Sequence, residues 1–271
     1  MTDLSQIFIL PNWPRNTKWL SNEERDLANY RLTYEAAGVS DDENDRPFNG
    51  FLQAVTDPKV WLLVFMQHCL LVGMSFTYFF PTIVKTLGFG DTETLLLTAP
   101  PYFLAFFVAL AVSWHSGYAQ ERCFHIIIPM IMSAIGQIIY ISTMNVPVRY
   151  FSMFLMTVGV YCAFNISYAW ISSVIPRPRT KRAVTMALVA ALSNASHVYT
   201  SYIFPKSDGP RYLNAGIILT VFCFVCVGCA LVLRFWLNAL NKKAATEEAA
   251  ANSMEGVNQS TRLRRGFRYQ L

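Results

Sequence analysis

Residues 213–237 read LNAGIILTVFCFVCVGCALVLRFWL, an apolar run whose one charged residue, Arg234, lies near its end. At a rise of about 1.5 Å per residue, a helix of this length crosses the roughly 30 Å hydrocarbon core of a bilayer. Five similar blocks precede it, and none of the six has Asp or Glu in its interior. The blocks cover about 60–84, 95–116, 124–143, 149–174, 183–204 and 213–237. The sequence therefore predicts an all-α membrane protein with six transmembrane helices.

The composition excludes several classes of protein. Of the 271 residues, 54% are hydrophobic and only 14% are charged, whereas soluble domains average about 25% charged residues. The composition therefore points away from a soluble globular protein and rules out a nucleic-acid-binding module, a disulfide-stapled secreted domain and a disordered tail. The net charge of +5 comes from basic residues next to the apolar blocks, so it indicates membrane topology rather than a nucleic-acid partner.

Three regions follow from the polarity of the chain. Residues 1–59 are predicted to form a cytoplasmic loop with an amphipathic segment, residues 60–237 the transmembrane bundle, and residues 238–271 a disordered cytoplasmic tail. Within the first region, Ser21 and Glu24 fit a capping box that opens a helix running to about Ala37.

An apolar stripe at positions 48, 51, 52 and 55 predicts a short helix in the membrane interface. Asp57-Pro58 then fits the N-cap and first turn of the first span.

The orientation follows from the basic residues in the connections. The connection between the fourth and fifth blocks alone holds four basic residues, Arg177, Arg179, Lys181 and Arg182. On the opposite side four basic residues are spread over three connections: Lys85, Arg149, Lys206 and Arg211. The positive-inside rule then places both termini in the cytoplasm, and we expect the plasma membrane as the location.

No catalytic or metal-binding motif is visible in the sequence. Cys223, Cys226 and Cys229 have a regular spacing, but a thiolate in lipid is costly, so packing is the simpler role. The chain has no P-loop, no intramembrane Asp pair, no G-x-S-x-G on a span and no H-E-x-x-H. We therefore expect no enzymatic activity, no metal and no cofactor; a six-span enzyme would need chemistry that the sequence does not show.

Polar residues at membrane depth are the candidate functional residues, because lipid cannot satisfy them. They form stripes on the first, fourth and fifth spans, each within an arc of about 100° or less. The alternative role is interhelical hydrogen bonding, which we expect for most Ser and Thr residues and for the stripe on the third span. The candidates for lining a substrate cavity are Gln67, His68, Tyr161, Asn165 and His197. Because His titrates near neutral pH, His68 and His197 are the groups that could take part in protonation.

Several strings, in this order and spacing, resemble the anion:cation symporter family of the major facilitator superfamily, which includes fungal allantoate and nicotinate permeases. They are Leu10-Pro11-Asn12-Trp13-Pro14, Asp57-Pro58-Lys59-Val60-Trp61, Tyr78-Phe79-Phe80-Pro81-Thr82, Ala99-Pro100-Pro101-Tyr102, Trp170-Ile171-Ser172-Ser173 and Asp208-Gly209-Pro210-Arg211-Tyr212. The resemblance runs from about residue 10 to 240 and covers the family's central loop and second half.

The resemblance implies a fold and a function. The fold would be the C-terminal six-helix half of a transporter, working by alternating access with proton-coupled uptake of a small organic anion such as a carboxylate or vitamin. The implied partners are that anion, a proton, membrane lipid and a missing N-terminal six-helix half. A second hypothesis stays open, namely a truncated membrane protein without transport activity of its own.

Overall fold

The structure is a computed structural model that describes residues 17, 20–35, 47–77, 80, 84, 90–176, 178–209, 211–252 and 269–270. The chain divides into two compact units. One comprises residues 1–44 and 242–268, and the other comprises residues 45–241 and 269–271.

The described part of the first unit begins with helix α1 (Asn22–Glu35). The predicted capping box is confirmed, because the Ser21 backbone N–H donates to Glu24 Oε2 at 3.0 Å and the Glu24 N–H donates to Ser21 Oγ at 3.3 Å. The predicted end of this helix near Ala37 lies outside the described residues.

The second unit is built from helices. In chain order they are α2 (Pro47–Val55), α3 (Pro58–Met74), α4 (Asp91–Ala119), α5 (Cys123–Ser142), α6 (Val146–Val174), α7 (Arg179–Asn194), α8 (Ser196–Thr200) and α9 (Leu213–Asn252), which belongs to this unit up to residue 241. Two 3₁₀ turns, Ser201–Ile203 and Lys206–Asp208, connect α8 to α9. The all-α prediction is confirmed for the part of the chain that the structure describes.

Four of the described helices are long and apolar enough to cross a membrane: Thr92–Ala119, Cys123–Ser142, Val146–Val174 and Leu213–Glu247. They correspond to the predicted second, third, fourth and sixth spans. A fifth crossing arises only if α2 and α3 count as one span bent by 74°. The first predicted span, 60–84, runs partly outside the described residues, so the number six stays a prediction.

The predicted fifth span, 183–204, is helical but is not one regular α-helix. α7 ends at Asn194 and α8 begins at Ser196; Ala195 between them keeps right-handed helical dihedral angles (φ −57°, ψ −21°), and α8 passes into a 3₁₀ turn. We call the change of helical hydrogen bonding at Ala195 the break in this segment. The Asn194 side-chain amide donates to the Ala190 carbonyl at 2.7 Å, which is the kind of local bond through which Asn competes with a regular helix.

The core of the second unit lies where α3, α5, α6 and α9 meet. Leu63, Ile126, Trp170 and Leu233, one from each helix, are all fully buried in one apolar cluster. The cysteines of α9 belong to the same cluster, in keeping with the packing role expected for them. α6 packs most extensively on α5 and also contacts α4, α3 and α7.

The outer surface of the second unit is apolar. Phe103, Phe107 and Trp114 on α4 are more than half exposed. In the apolar 18-residue stretch of α4 only 17% of the residues are buried, whereas the share in the corresponding stretch of α6 is 61%. Long apolar helices with apolar outward faces are the structure that a bilayer stabilises, because their backbone groups are satisfied within each helix.

Helix α2, predicted to lie in the membrane interface, packs closely on α7. A Cβ atom on Gly50 would lie 2.6 Å from Thr180 Cβ, so a side chain at this position has no room. Asp57 caps α3 by accepting from the Lys59 N–H at 2.9 Å, as predicted, and forms an ion pair with Lys181 Nζ at 2.7 Å. Burial raises the pKa of Asp57, but the bonds from Lys181 and Lys59 outweigh burial, so the pKa lies below its ordinary value.

Two features of the structure concern the limits of the predicted regions. The compact unit that holds the bundle begins at residue 45, and α2 within it packs on α7. The tail predicted to be disordered from residue 238 is helical through Asn252, since its Ala, Glu and Lys residues are strong helix formers.

Candidate functional site

A cavity of about 350 Å³ lies between α4 and α6. This volume is within the usual range for small-molecule sites, roughly 300–1,000 Å³. α4 contributes most of its lining and α6 contributes the rest; the residues are Tyr102, Ala105, Phe106, Ala109, Leu110, Ser113, Tyr161 and Asn165.

The helical period explains how α4 lines the cavity. The α4 residues lie at positions i, i+3, i+4, i+7, i+8 and i+11, which is one face of a helix. Ala105 and Ala109 are nearly fully buried at 2% and 5% exposure, and their small side chains leave the space that the cavity occupies. Pro100 and Pro101 lie about one turn before Ala105, within the same continuous helix.

The polar groups of the cavity come from both helices. Tyr161 and Tyr102 form an edge-to-face pair with ring centroids 5.7 Å apart, and the Tyr102 hydroxyl donates to the Thr77 carbonyl at 3.4 Å. Asn165 lies one turn after Tyr161 and is exposed, so its amide can both donate to and accept from a ligand. None of the eight described lining residues is charged.

These features favour a particular class of ligand. Aromatic rings and aliphatic side chains provide an apolar surface, and the phenol, amide and hydroxyl groups provide neutral hydrogen bonds. The cavity therefore suits a small, flat, partly apolar molecule with hydrogen-bonding groups.

His68 occupies a different place, on α3 opposite the α7–α8 segment. Its Nδ1 lies 3.3 Å from the Leu192 carbonyl oxygen, and its Nε2 lies 2.6 Å from the Tyr199 hydroxyl. Since a carbonyl only accepts, we assign the proton to Nδ1, and the Tyr199 hydroxyl then donates to Nε2 of the neutral ring. Leu192 precedes the break at Ala195 and Tyr199 follows it, so one imidazole bridges the two segments.

Gln67 is fully buried between α3 and α6 and does not line the cavity. Ser167 Oγ donates to Gln67 Oε1 at 2.7 Å. The polar stripes were predicted to face one another or a wet cavity, and at Gln67 the stripe on α3 meets Ser167 of α6. The remaining candidate, His197, is half-buried on α8 and is likewise outside the lining of this cavity.

The stripe on the third span behaves as expected for packing. Gln137 is buried, its amide nitrogen lies 3.5 Å from the Gly73 carbonyl oxygen, and it accepts from Thr220 Oγ1 at 3.2 Å. These bonds link α5 to α3 and α9.

Of the five residues predicted to line a cavity, Tyr161 and Asn165 line this one, beside Tyr102 and Ser113, which were not predicted; nor was the contact of Tyr199 with His68. For Tyr102 and Ser113 a signal was present, because a polar residue stands at each end of a face with alanines at 105 and 109. For Tyr199 the signal was absent, since its role depends on the break at Ala195, where the sequence has neither Gly nor Pro.

The fold and the cavity define the class of this protein: an α-helical membrane protein that crosses the bilayer several times and has a small-molecule cavity between two of its helices. Comparison with known families makes the assignment narrower. The sequence model of the Major Facilitator Superfamily matches residues 7–201. The chain belongs to this superfamily.

Curated relatives are fungal transporters. The chain is 28% identical over 239 residues to an uncharacterized transporter of Schizosaccharomyces pombe, covering 88% of this chain and 47% of the relative. It is 31% identical over 222 residues to an MFS-type transporter of Penicillium expansum, covering 77% of this chain and 42% of the relative. It is 26% identical over 198 residues to the high-affinity nicotinic acid transporter of Saccharomyces cerevisiae, covering 72% and 36%.

The chain spans about half the length of the curated relatives it matches. These comparisons confirm the superfamily that the sequence motifs implied. The narrower anion:cation symporter family belongs to the proposal that follows.

Proposed function

We propose that this chain is the second half of an anion:cation symporter, and that the cavity between α4 and α6 binds a small organic anion during proton-coupled uptake. The observation that supports this most directly is the position of Asn165 and Tyr161. Both are polar residues at predicted membrane depth, and both line the same cavity as Tyr102. The nicotinic acid transporter among the relatives supports a small aromatic carboxylate as the substrate class.

The roles of the candidate residues differ. Asn165 and Tyr161 contact the substrate from α6, and Tyr102 contacts it from α4. Gln67 holds α3 against α6 through Ser167, so it positions the cavity wall rather than binding substrate. His68 lies against the α7–α8 segment and His197 lies within it, and His68 is the group that exchanges the coupling proton. In this scheme no carboxylate of this half takes part, because the predicted spans have none in their interiors.

The partner of this half is a matching first six-helix half. Most of the apolar stretch of α4 is not buried within the bundle. The relatives are about twice as long as this chain. In major facilitator transporters the substrate site lies between two bundles that rock against each other. The chain alone is therefore expected to transport nothing.

The location proposed is the plasma membrane, with both termini in the cytoplasm, on the basis of the Lys/Arg distribution. A reporter fused after Arg179 should then lie in the cytoplasm. An extracellular reporter at this position would reverse the proposed orientation.

The experiment that tests the site compares two identical substitutions. Asn165→Leu and Asn194→Leu are introduced into the chain co-expressed with the first half of a relative, and uptake of labelled nicotinate and other carboxylates is measured against surface expression. Asn165→Leu should raise the apparent KM about tenfold, because a hydrogen bond to a charged ligand is lost.

Asn194 is exposed on α7 and bonds within its own helix, so Asn194→Leu should leave uptake unchanged. Equal uptake by the Asn165→Leu variant and the unmodified protein at every substrate concentration would remove Asn165 from the site.

A further inference from the structure

Residues Tyr269 and Gln270 return to one end of the bundle and contact four parts of it. Asn241 of α9 binds both main-chain groups of Tyr269: the Tyr269 N–H donates to Asn241 Oδ1 at 2.8 Å, and Asn241 Nδ2 donates to the Tyr269 carbonyl at 3.0 Å. The side-chain amide of Asn241 therefore pairs with the main chain as a neighbouring strand would.

The next residue is held by α6 and by the connection between α4 and α5. Trp170 Nε1 donates to the Gln270 carbonyl at 3.1 Å. The Gln270 side chain accepts from Arg122 Nε at 3.4 Å and donates to the Gln120 side-chain oxygen. Lys59 Nζ, at the start of α3, lies over the Tyr269 ring at 5.3 Å from its centroid.

Trp170 shows how closely the segment fits this end of the bundle. With the segment in place the Trp170 side chain is fully buried, and its indole N–H donates to the Gln270 carbonyl rather than being left without an acceptor. Main-chain contacts of this kind give affinity in peptide recognition, while side-chain contacts give specificity. Here Asn241 and Trp170 bind the main chain, and Gln120, Arg122 and Lys59 bind the two side chains.

We propose that this end of the bundle is a peptide-binding site whose occupant is the chain's own Tyr269–Gln270 segment, and that the bound segment is a strap tying together α3, α6, α9 and the connection between α4 and α5. The strap is independent of the proposed substrate, since none of its contacts lines the cavity between α4 and α6. It would hold these parts of the bundle together as one unit.

Hydrogen–deuterium exchange of the purified full chain in detergent tests the strap. The fragment that contains Tyr269 should exchange more slowly than the same sequence as a free peptide, and Asn241→Ala should accelerate this exchange about tenfold by removing two bonds. Trp170→Phe keeps an aromatic ring, removes one donor and should have a smaller effect in the same direction. The matched controls are Asn238→Ala and Trp236→Phe, on the same helix as Asn241, which should leave the exchange unchanged.

A second measurement does not depend on any variant. A synthetic peptide covering residues 266–271, added in excess to the unmodified chain, should displace the strap and accelerate exchange of the chain's own segment. A peptide with the same residues in scrambled order should have no effect.

Exchange of the Tyr269 fragment at the free-peptide rate in the unmodified chain would overturn the proposal. So would equal exchange in the Asn241→Ala and Asn238→Ala variants, or failure of the added peptide to compete.

Discussion

At the scale of single residues, the His68–Tyr199 pair gives the sharpest chemical prediction. In the neutral ring Nε2 accepts from the Tyr199 hydroxyl at 2.6 Å; in the protonated ring Nε2 becomes a donor, so this bond must reverse while the bond to Leu192 persists. Protonation would therefore change the bridge across the break in the α7–α8 segment.

We predict that His68→Gln, in a transporter assembled with a first half, flattens the dependence of uptake on external pH. Gln can keep a hydrogen bond to Tyr199 but cannot titrate. His197→Gln removes a histidine from the same region while leaving the His68–Tyr199 pair intact, and it should change the profile less. A pH profile of the His68→Gln variant that superimposes on that of the unmodified protein would exclude His68 from proton coupling.

The Asp57–Lys181 ion pair predicts how stability depends on pH. Because the pKa of Asp57 is lowered in the folded protein, the ionised carboxylate stabilises the fold fully at pH values above its unfolded pKa of about 3.9. This stabilisation is lost as the pH falls through the pKa of the folded protein. Asp57→Asn keeps a good N-cap residue and removes the charge. At pH 7 it should lower the thermal midpoint in detergent by about 2–4 °C, which corresponds to roughly 1 kcal/mol.

The difference between the Asp57→Asn variant and the unmodified protein should then shrink as the pH falls below about 4. Lys181→Gln should cost a similar amount at pH 7, and the double variant should cost little more than either alone. Additive losses in the double variant would show that the two residues act independently.

At the scale of secondary-structure elements, close contact between α5 and α6 depends on Gly159. A Cβ atom there would lie 2.9 Å from the Ser133 backbone nitrogen and closer still to the Pro129 carbonyl oxygen, so main chain rather than a flexible side chain blocks it. Gly159→Ala should destabilise the bundle by about 1–3 kcal/mol, measured by thermal unfolding in detergent.

The matched control is Gly228→Ala on α9, where a new Cβ atom would meet nothing within 4 Å. Because Ala is the better helix former, this variant should be neutral or slightly stabilised. Equal thermal midpoints for the two variants would mean that the α5–α6 contact is less close than the structure describes.

The elements also show what the sequence can and cannot predict. The capping box at Ser21, the N-cap at Asp57 and four apolar spans were predicted correctly, because they depend on local chemistry and on helix period. The period also placed Tyr161 and Asn165 on one face of α6. It could not say which neighbour a face meets, as at Gln67, which bonds to Ser167 of α6.

The break in the predicted fifth span and the strap were not predicted for a different reason. The break lies at Ala195, between Leu192 and Tyr199, which both form hydrogen bonds to His68 of α3. The strap pairs Tyr269 with Asn241 across 28 positions of the chain. Neither pairing has a local signature. The extension of α9 through Asn252 had one, in the Ala-rich composition of residues 244–251.

At the scale of the whole molecule, the central claim is that this bundle binds substrate in the cavity between α4 and α6 but moves it only with a second bundle. The chain covers about half of each of the first relatives it matches. Alternating access requires two bundles around a shared site, and α4, which lines the cavity, is also the described span with the least burial.

The most direct measurement is uptake of labelled carboxylates, nicotinate among them, into liposomes with an imposed proton gradient. The purified 271-residue chain is compared with the same chain co-purified with the first six-helix half of a relative. We predict gradient-dependent accumulation only when both halves are present, and its loss at low substrate concentration in the Asn165→Leu variant. Accumulation by the chain alone, or by the assembled Asn165→Leu variant as fast as by the unmodified assembly, would contradict the claim.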